Sequence, residues 1–95
     1  MFKSDYFELG TQVITYGVND AVAENTDFAI EVHNAMTRYC NKDWGDMDEE
    51  DKQMNDDALS IGNRIFAAYH TCKGKIYIIT EWDRSATTIL FADEY

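Results

Sequence analysis

The chain predicts an α+β domain: a three- to four-stranded, mostly antiparallel sheet packed against two to three helices, in the order β-α-(α)-α-β-β-β. Three observations carry this. The last third holds three segments rich in β-branched and aromatic residues, parted by short polar turns. The middle holds a segment with apolar residues at helical spacing, and between the two lies an acid-rich stretch with a helix-start pattern. Ninety-five residues form one domain, 1–95, because two halves would each lack a sufficient core.

"TQVITYG" at 11–17 alternates Val13 and Thr15 against Ile14 and Tyr16, a short strand that Gly17 ends. "VNDAVAEN" at 18–25 forms a short helix with Asn19 as its cap. In "TDFAIEVHNAMTRYC", Thr26 is the expected N-cap and Asp27 stands in the positively polarised first turn. Phe28, Val32, Ala35, Met36 and Tyr39 fall on one face of that helix, which is therefore amphipathic. "NKDWGDM" at 41–47 reads as a loop with Trp44 as an anchor. Asp48 then opens an acidic helix whose Glu49, Glu50 and Asp51 are favoured by the helix dipole. Its apolar side is thin, with Met47, Asp51, Met54 and Ala58 along it. "RIFAAYHT" at 64–71 and "KIYIITEW" at 75–82 pair through the turn "CKG", and "ATTILF" at 86–91 follows the turn "WDRS". The first strand joins this meander at an edge or at its centre.

Charge is the extreme quantity. The net charge is −10, and residues 43–57 alone carry eight carboxylates against one lysine. Such a chain is repelled by phosphate backbones and anionic lipid and is steered toward basic surfaces, so direct nucleic-acid binding and membrane binding are disfavoured. No apolar run approaches the roughly 20 residues that span a bilayer. "MFKSDYFELG" lacks a basic n-region followed by an apolar h-region, which predicts a cytoplasmic protein with Cys40 and Cys72 reduced.

Sites for chemistry are scarce. Asp46, Asp48 and Glu50 alternate like the opening of a calcium loop, but its sixth position is Asp51 where glycine is needed, and its twelfth is Asp57. His33, Cys40, His70 and Cys72 have no zinc-site spacing. Ser60 and Ser85 lie outside any nucleophile elbow, and no glycine-rich loop is present. The expectation is a protein without metal or cofactor and without enzymatic activity. Glu81, Trp82, Asp83 and Arg84 in "TEWDRS" form a secondary candidate site, because Arg84 offers bidentate bonding to a carboxylate. A salt-bridged turn accounts for the same residues.

"DWGDMDEEDKQMNDDAL" at 43–59, followed by "YIITEWDRSATTILFADEY" at 77–95, resembles a small family of bacterial plasmids, integrative elements and phages usually called plasmid-related protein. The resemblance runs from "QVITYGVNDAV" to the final tyrosine. Trp82 departs from the family's usual alanine, Asn63 and Ile65 from its Gly and Leu, and Phe91-Ala92 from its Leu-Pro. Many members of that family are labelled as type I restriction endonuclease subunit M. An amino-methyltransferase needs a proline-containing N-P-P motif, and this chain has no proline. The resemblance implies a mobile-element protein of the bacterial cell and no particular reaction.

Two functional expectations stand side by side. In the first, the chain binds and inhibits a host nucleic-acid-processing defence enzyme, of CRISPR or restriction type, by presenting carboxylates in place of phosphates to a basic nucleic-acid-binding cleft. Its partner-binding residues are Asp43, Trp44, Asp46, Asp48, Glu49, Glu50, Asp51, Asp56 and Asp57. In the second, the chain is a structural or regulatory interaction module, such as a homodimer paired through an exposed strand edge. The acidic helix then serves solubility alone, and binding rests on Trp82 and Tyr95.

Overall fold

In the computed structural model, which describes residues 2–95, the elements run β1 (Thr11–Ile14), α1 (Tyr16–Glu24), α2 (Thr26–Cys40), α3 (Glu49–Ile61), β2 (Ile65–Thr71), β3 (Gly74–Thr80) and β4 (Ala86–Phe91), closed by a 3₁₀ turn at Ala92–Glu94. This is the expected α+β order with all three helices formed. The four-stranded sheet has the order β1-β4-β3-β2. β2, β3 and β4 make the antiparallel meander, and β1 joins at the edge, parallel to β4 with Thr11 opposite Ala86 and Ile14 opposite Ile89.

Alternation along the strands places Ile65, Ala67 and Tyr69 of β2, Ile76 and Ile78 of β3 and Ile89 of β4 in one core with the helices. The face of α2 that meets them carries the five residues its spacing singles out, together with Cys40. Inside this core runs a chain of hydroxyls. Thr87 Oγ1 donates to the Leu9 carbonyl at 2.7 Å, so Thr80 must donate to Thr87 (2.8 Å) and Tyr39 to Thr80 (2.6 Å), since each hydroxyl has one proton. Burial pushes the Tyr39 phenol well above its usual range, which keeps that donor protonated. Residues 2–9, unassigned by pattern, complete the core. Leu9 is buried, and the Phe7 ring meets Tyr39 edge-on at 5.5 Å.

Several local expectations are corrected. β1 ends at Ile14, and Tyr16 and Gly17 form the first turn of α1. The cap of α1 is Thr15, not Asn19: Thr15 Oγ1 accepts from the Val18 amide at 3.3 Å. The cap of α2 is Asn25, not Thr26, with Oδ1 accepting from Phe28 N at 2.9 Å. Both capping residues lie one step outside the apolar pattern that marks their helices. β3 stops at Thr80, so Glu81 and Trp82 belong to the turn before β4.

Candidate functional site

Asp48 caps α3 as expected, its Oδ1 accepting from the Asp51 amide at 2.8 Å. The buried side of α3 is displaced from the expected stripe: Asn55 and Ala58 are buried, while Met54 and Asp51 are exposed. The displacement follows from where the helix lies. Instead of lying flat on the sheet, α3 runs along the outer edge of β2, so its inward position needs a hydrogen-bonding side chain. Asn55 supplies it, with Nδ2 donating to Phe66 O at 2.8 Å and Oδ1 accepting from Phe66 N at 3.1 Å.

The segment before α3 closes the rest of that edge. Asp46 N donates to Ala68 O at 2.7 Å, Ala68 N to Trp44 O at 3.4 Å, and His70 N to the Asp46 carboxylate at 3.0 Å. In an antiparallel strand, alternate residues turn their amides to the same side, and Phe66, Ala68 and His70 are those that face away from β3. Thus "DWGD" and Asn55 together occupy an edge that would otherwise be a template for strand addition. Gly45 allows the approach. It has φ +78°, and a Cβ on it would run into Ala68 O and the Tyr69 ring.

Trp44 is therefore corrected. It is 2% exposed, packed against Tyr39 and Phe7, and its indole Nε1 donates to Asp56 Oδ1 at 2.9 Å. A side chain so enclosed is no anchor for a partner. Asp56 is held by that bond, Asp46 by the strand edge, and Asp43 by Arg38 Nε at 2.8 Å and the Gly45 amide at 3.1 Å. The Arg38 guanidinium holds the Asp43 carboxyl below the usual carboxylate range. A depressed folded-state pKa gives stability that is complete above the unfolded value and is lost as pH falls through the folded one. Asp43→Asn should therefore lower the melting temperature slightly at neutral pH, and the gap to the parent should close on acidification below about pH 4. A gap that held constant down to pH 2 would contradict the ion pair.

Four carboxylates of α3 make no bond outside the helix among the described residues. Glu49 has Lys52 at 3.6 Å, Asp57 receives Gln53 Nε2 at 3.0 Å, and Glu50 and Asp51 engage no cation among the described residues. Glu49 and Asp57 are eight positions apart, about 12 Å along the axis at 1.5 Å per residue. Beside them lies a surface groove of about 620 Å³, lined by one side of α3, the start of β2 and the turn before β4. Met47, Met54, Phe66 and Trp82 give it apolar walls, and Asp51 and Arg64 border it.

The "TEWDRS" turn holds the other end of α3. Arg84, at φ +61°, gives its guanidinium to the carbonyls of Ala58 (2.9 Å) and Asn63 (2.7 Å), and more loosely to those of Glu81 and Trp82. The Ala58 and Asn63 carbonyls lie in the last turn of α3 and just past its end, where a cation is favoured. Asp83 accepts from the Ser85 amide at 3.0 Å, and hydrogen bonding by the Ser85 side chain, then by its amide, lowers the Asp83 pKa. Arg84 and Asp83 are thus parts of the frame. Glu81 is exposed, and Trp82 is 67% exposed at the rim of the groove.

No three His, Cys, Asp or Glu side chains among the described residues are grouped to hold a metal ion. Cys40 is buried and Cys72 exposed, both as free thiols. Among the described residues no helix is long and apolar enough to cross a membrane. No family model, curated protein or solved structure matches the chain.

Proposed function

We propose that this chain is a non-catalytic, mobile-element protein that binds the basic nucleic-acid cleft of a host defence enzyme and blocks it, with solvent-facing carboxylates of α3 in the place of phosphates. The observation that carries the reading is the contrast within the acidic stretch. All eight carboxylates are exposed. Asp43, Asp46, Asp48 and Asp56 each hold a loop, the strand edge, a helix cap or the indole in place, whereas Glu49, Glu50, Asp51 and Asp57 make no bond outside α3 among the described residues and have one lysine among them. Asp48 and Arg84 pin the two ends of α3, so these charges stand on a fixed frame. A fixed array loses less entropy on binding than a flexible acidic tail does. The exposed Trp82 and Met54 add an apolar contact beside the charges, of the kind that sets residence time.

The test is a pull-down from a bacterial lysate containing CRISPR and restriction enzymes, with the chain as bait, in the presence and absence of competing guide RNA or duplex DNA. A nuclease or DNA-modifying enzyme that is retained without competitor and released by it supports the proposal. Retention indifferent to nucleic acid, or of no such enzyme, overturns it.

A further inference from the structure

The two edges of the sheet are treated differently. On β2, Asn55 and the 44–46 segment occupy the outward amides and carbonyls. On β1, the amides of Thr11 and Thr15 donate into β4, to Ser85 O at 2.9 Å and Ile89 O at 3.0 Å. Strand alternation therefore points the main-chain groups of Gln12 and Ile14 away from the sheet, and neither has a partner among the described residues. The Gln12 side chain does not fold over them, because it is tied in both directions to the main chain of Phe2, at 3.2 and 2.7 Å.

Charge says what can dock there. A copy of a chain with net charge −10 is repelled by most of its twin, yet residues 9–19 contain no Asp, Glu, Lys, Arg or His. Glu94, which reaches the end of the strand, is held by Thr15 Oγ1 and the Phe91 amide, both at 2.7 Å. The side chains at the edge are Val13 and Ile14, 42% and 40% exposed, next to an apolar hollow of about 230 Å³ lined by Phe2, Met36 and Ile89.

We propose that β1 is a dimerisation edge occupied by the β1 of a second copy, antiparallel about a two-fold axis at Val13. Gln12 of each copy then exchanges both N–H···O bonds with Ile14 of the other, and the two sheets become one continuous sheet. The partner Ile14 side chain falls beside the apolar hollow. With β2 blocked, no second sheet edge remains among the described residues to extend the assembly, so association closes at two copies rather than growing into a fibre. This does not depend on the α3 proposal, and salt separates the two. Screening strengthens pairing between like-charged copies, whereas it weakens binding of α3 to a basic cleft.

The test combines mass and cross-linking on the full chain. Sedimentation from micromolar to millimolar concentration should show the mass rising toward twice the monomer's 11.0 kDa, with the transition moving to lower concentration as salt is added. Val13→Lys places like charges directly opposite each other and should hold the mass at one copy, with the melting temperature unchanged at concentrations where the parent is itself monomeric. In a Cys72→Ser background, Val13→Cys should oxidise to a disulfide-linked dimer, because a non-hydrogen-bonded antiparallel pair has Cα atoms about 4.5 Å apart. Asn34→Cys in the same background should not. A wild-type mass of one copy throughout, or equal cross-linking of the Val13 and Asn34 variants, would overturn the proposal.

Discussion

Replacing Trp44 by alanine is expected to destabilise the protein by about 3–5 kcal/mol, a large part of the roughly 5–15 kcal/mol that holds a domain of this size together. The loss has two sources. The indole fills the space beside Tyr39 and Phe7, and its removal leaves a cavity that fixed neighbours cannot close. It also frees the loop that covers β2, because Trp44 O and Asp46 N hold Ala68 from that loop. Gly45→Ala should act in the same direction without touching the indole. Its Cβ would meet Ala68 O and the Tyr69 ring, and φ +78° is unfavourable for alanine. Urea unfolding followed by circular dichroism measures both. A loss under about 1 kcal/mol for Trp44→Ala would mean that the loop is not part of the core.

The second large effect is on binding rather than on stability. Neutralising the outward set together, Glu49→Gln, Glu50→Gln, Asp51→Asn and Asp57→Asn, should weaken capture of the target by about 100-fold or more. The same substitutions should shift stability by no more than about 1 kcal/mol, since lost helix-dipole interactions are offset by relief of self-repulsion. Neutralising Asp46 and Asp56 should do the reverse, lowering stability through the strand edge and the indole bond while leaving the outward charges in place. Binding affinities across a salt series report the first effect, and thermal melts report the second.

The expected element order and the buried face of α2 were legible because both rest on short-range periodicity, and Asp48 was legible as a cap because its partner is three residues away. What escaped was set by contacts distant in sequence. Trp44 sits in a polar, glycine-containing loop where its sequence leaves both core-rim packing and an interface anchor open, and its full burial depends on the loop's pairing with β2 at Ala68, 24 residues downstream of Trp44. Asn55 and Arg84 are polar residues that serve the backbone of other elements, at Phe66 and Ala58, and nothing in their own neighbourhood signals it. One hint was present: an asparagine standing where helical spacing calls for an apolar residue. Thr15 was hidden differently, since a β-branched residue next to Val13 and Ile14 reads as strand while its hydroxyl caps a helix. The acidic stretch was visible as charge, but its division into engaged and free carboxylates was not.

That division is the central claim, and a comparison of two baits tests it most directly: the parent chain and the fourfold neutralised α3 variant, matched in melting temperature, presented to the same lysate with retained proteins quantified by mass spectrometry. The account predicts a nucleic-acid-processing enzyme that is enriched on the parent and absent from the variant. Equal retention of the same proteins on both baits would contradict it, and would assign the charge of α3 to solvation alone.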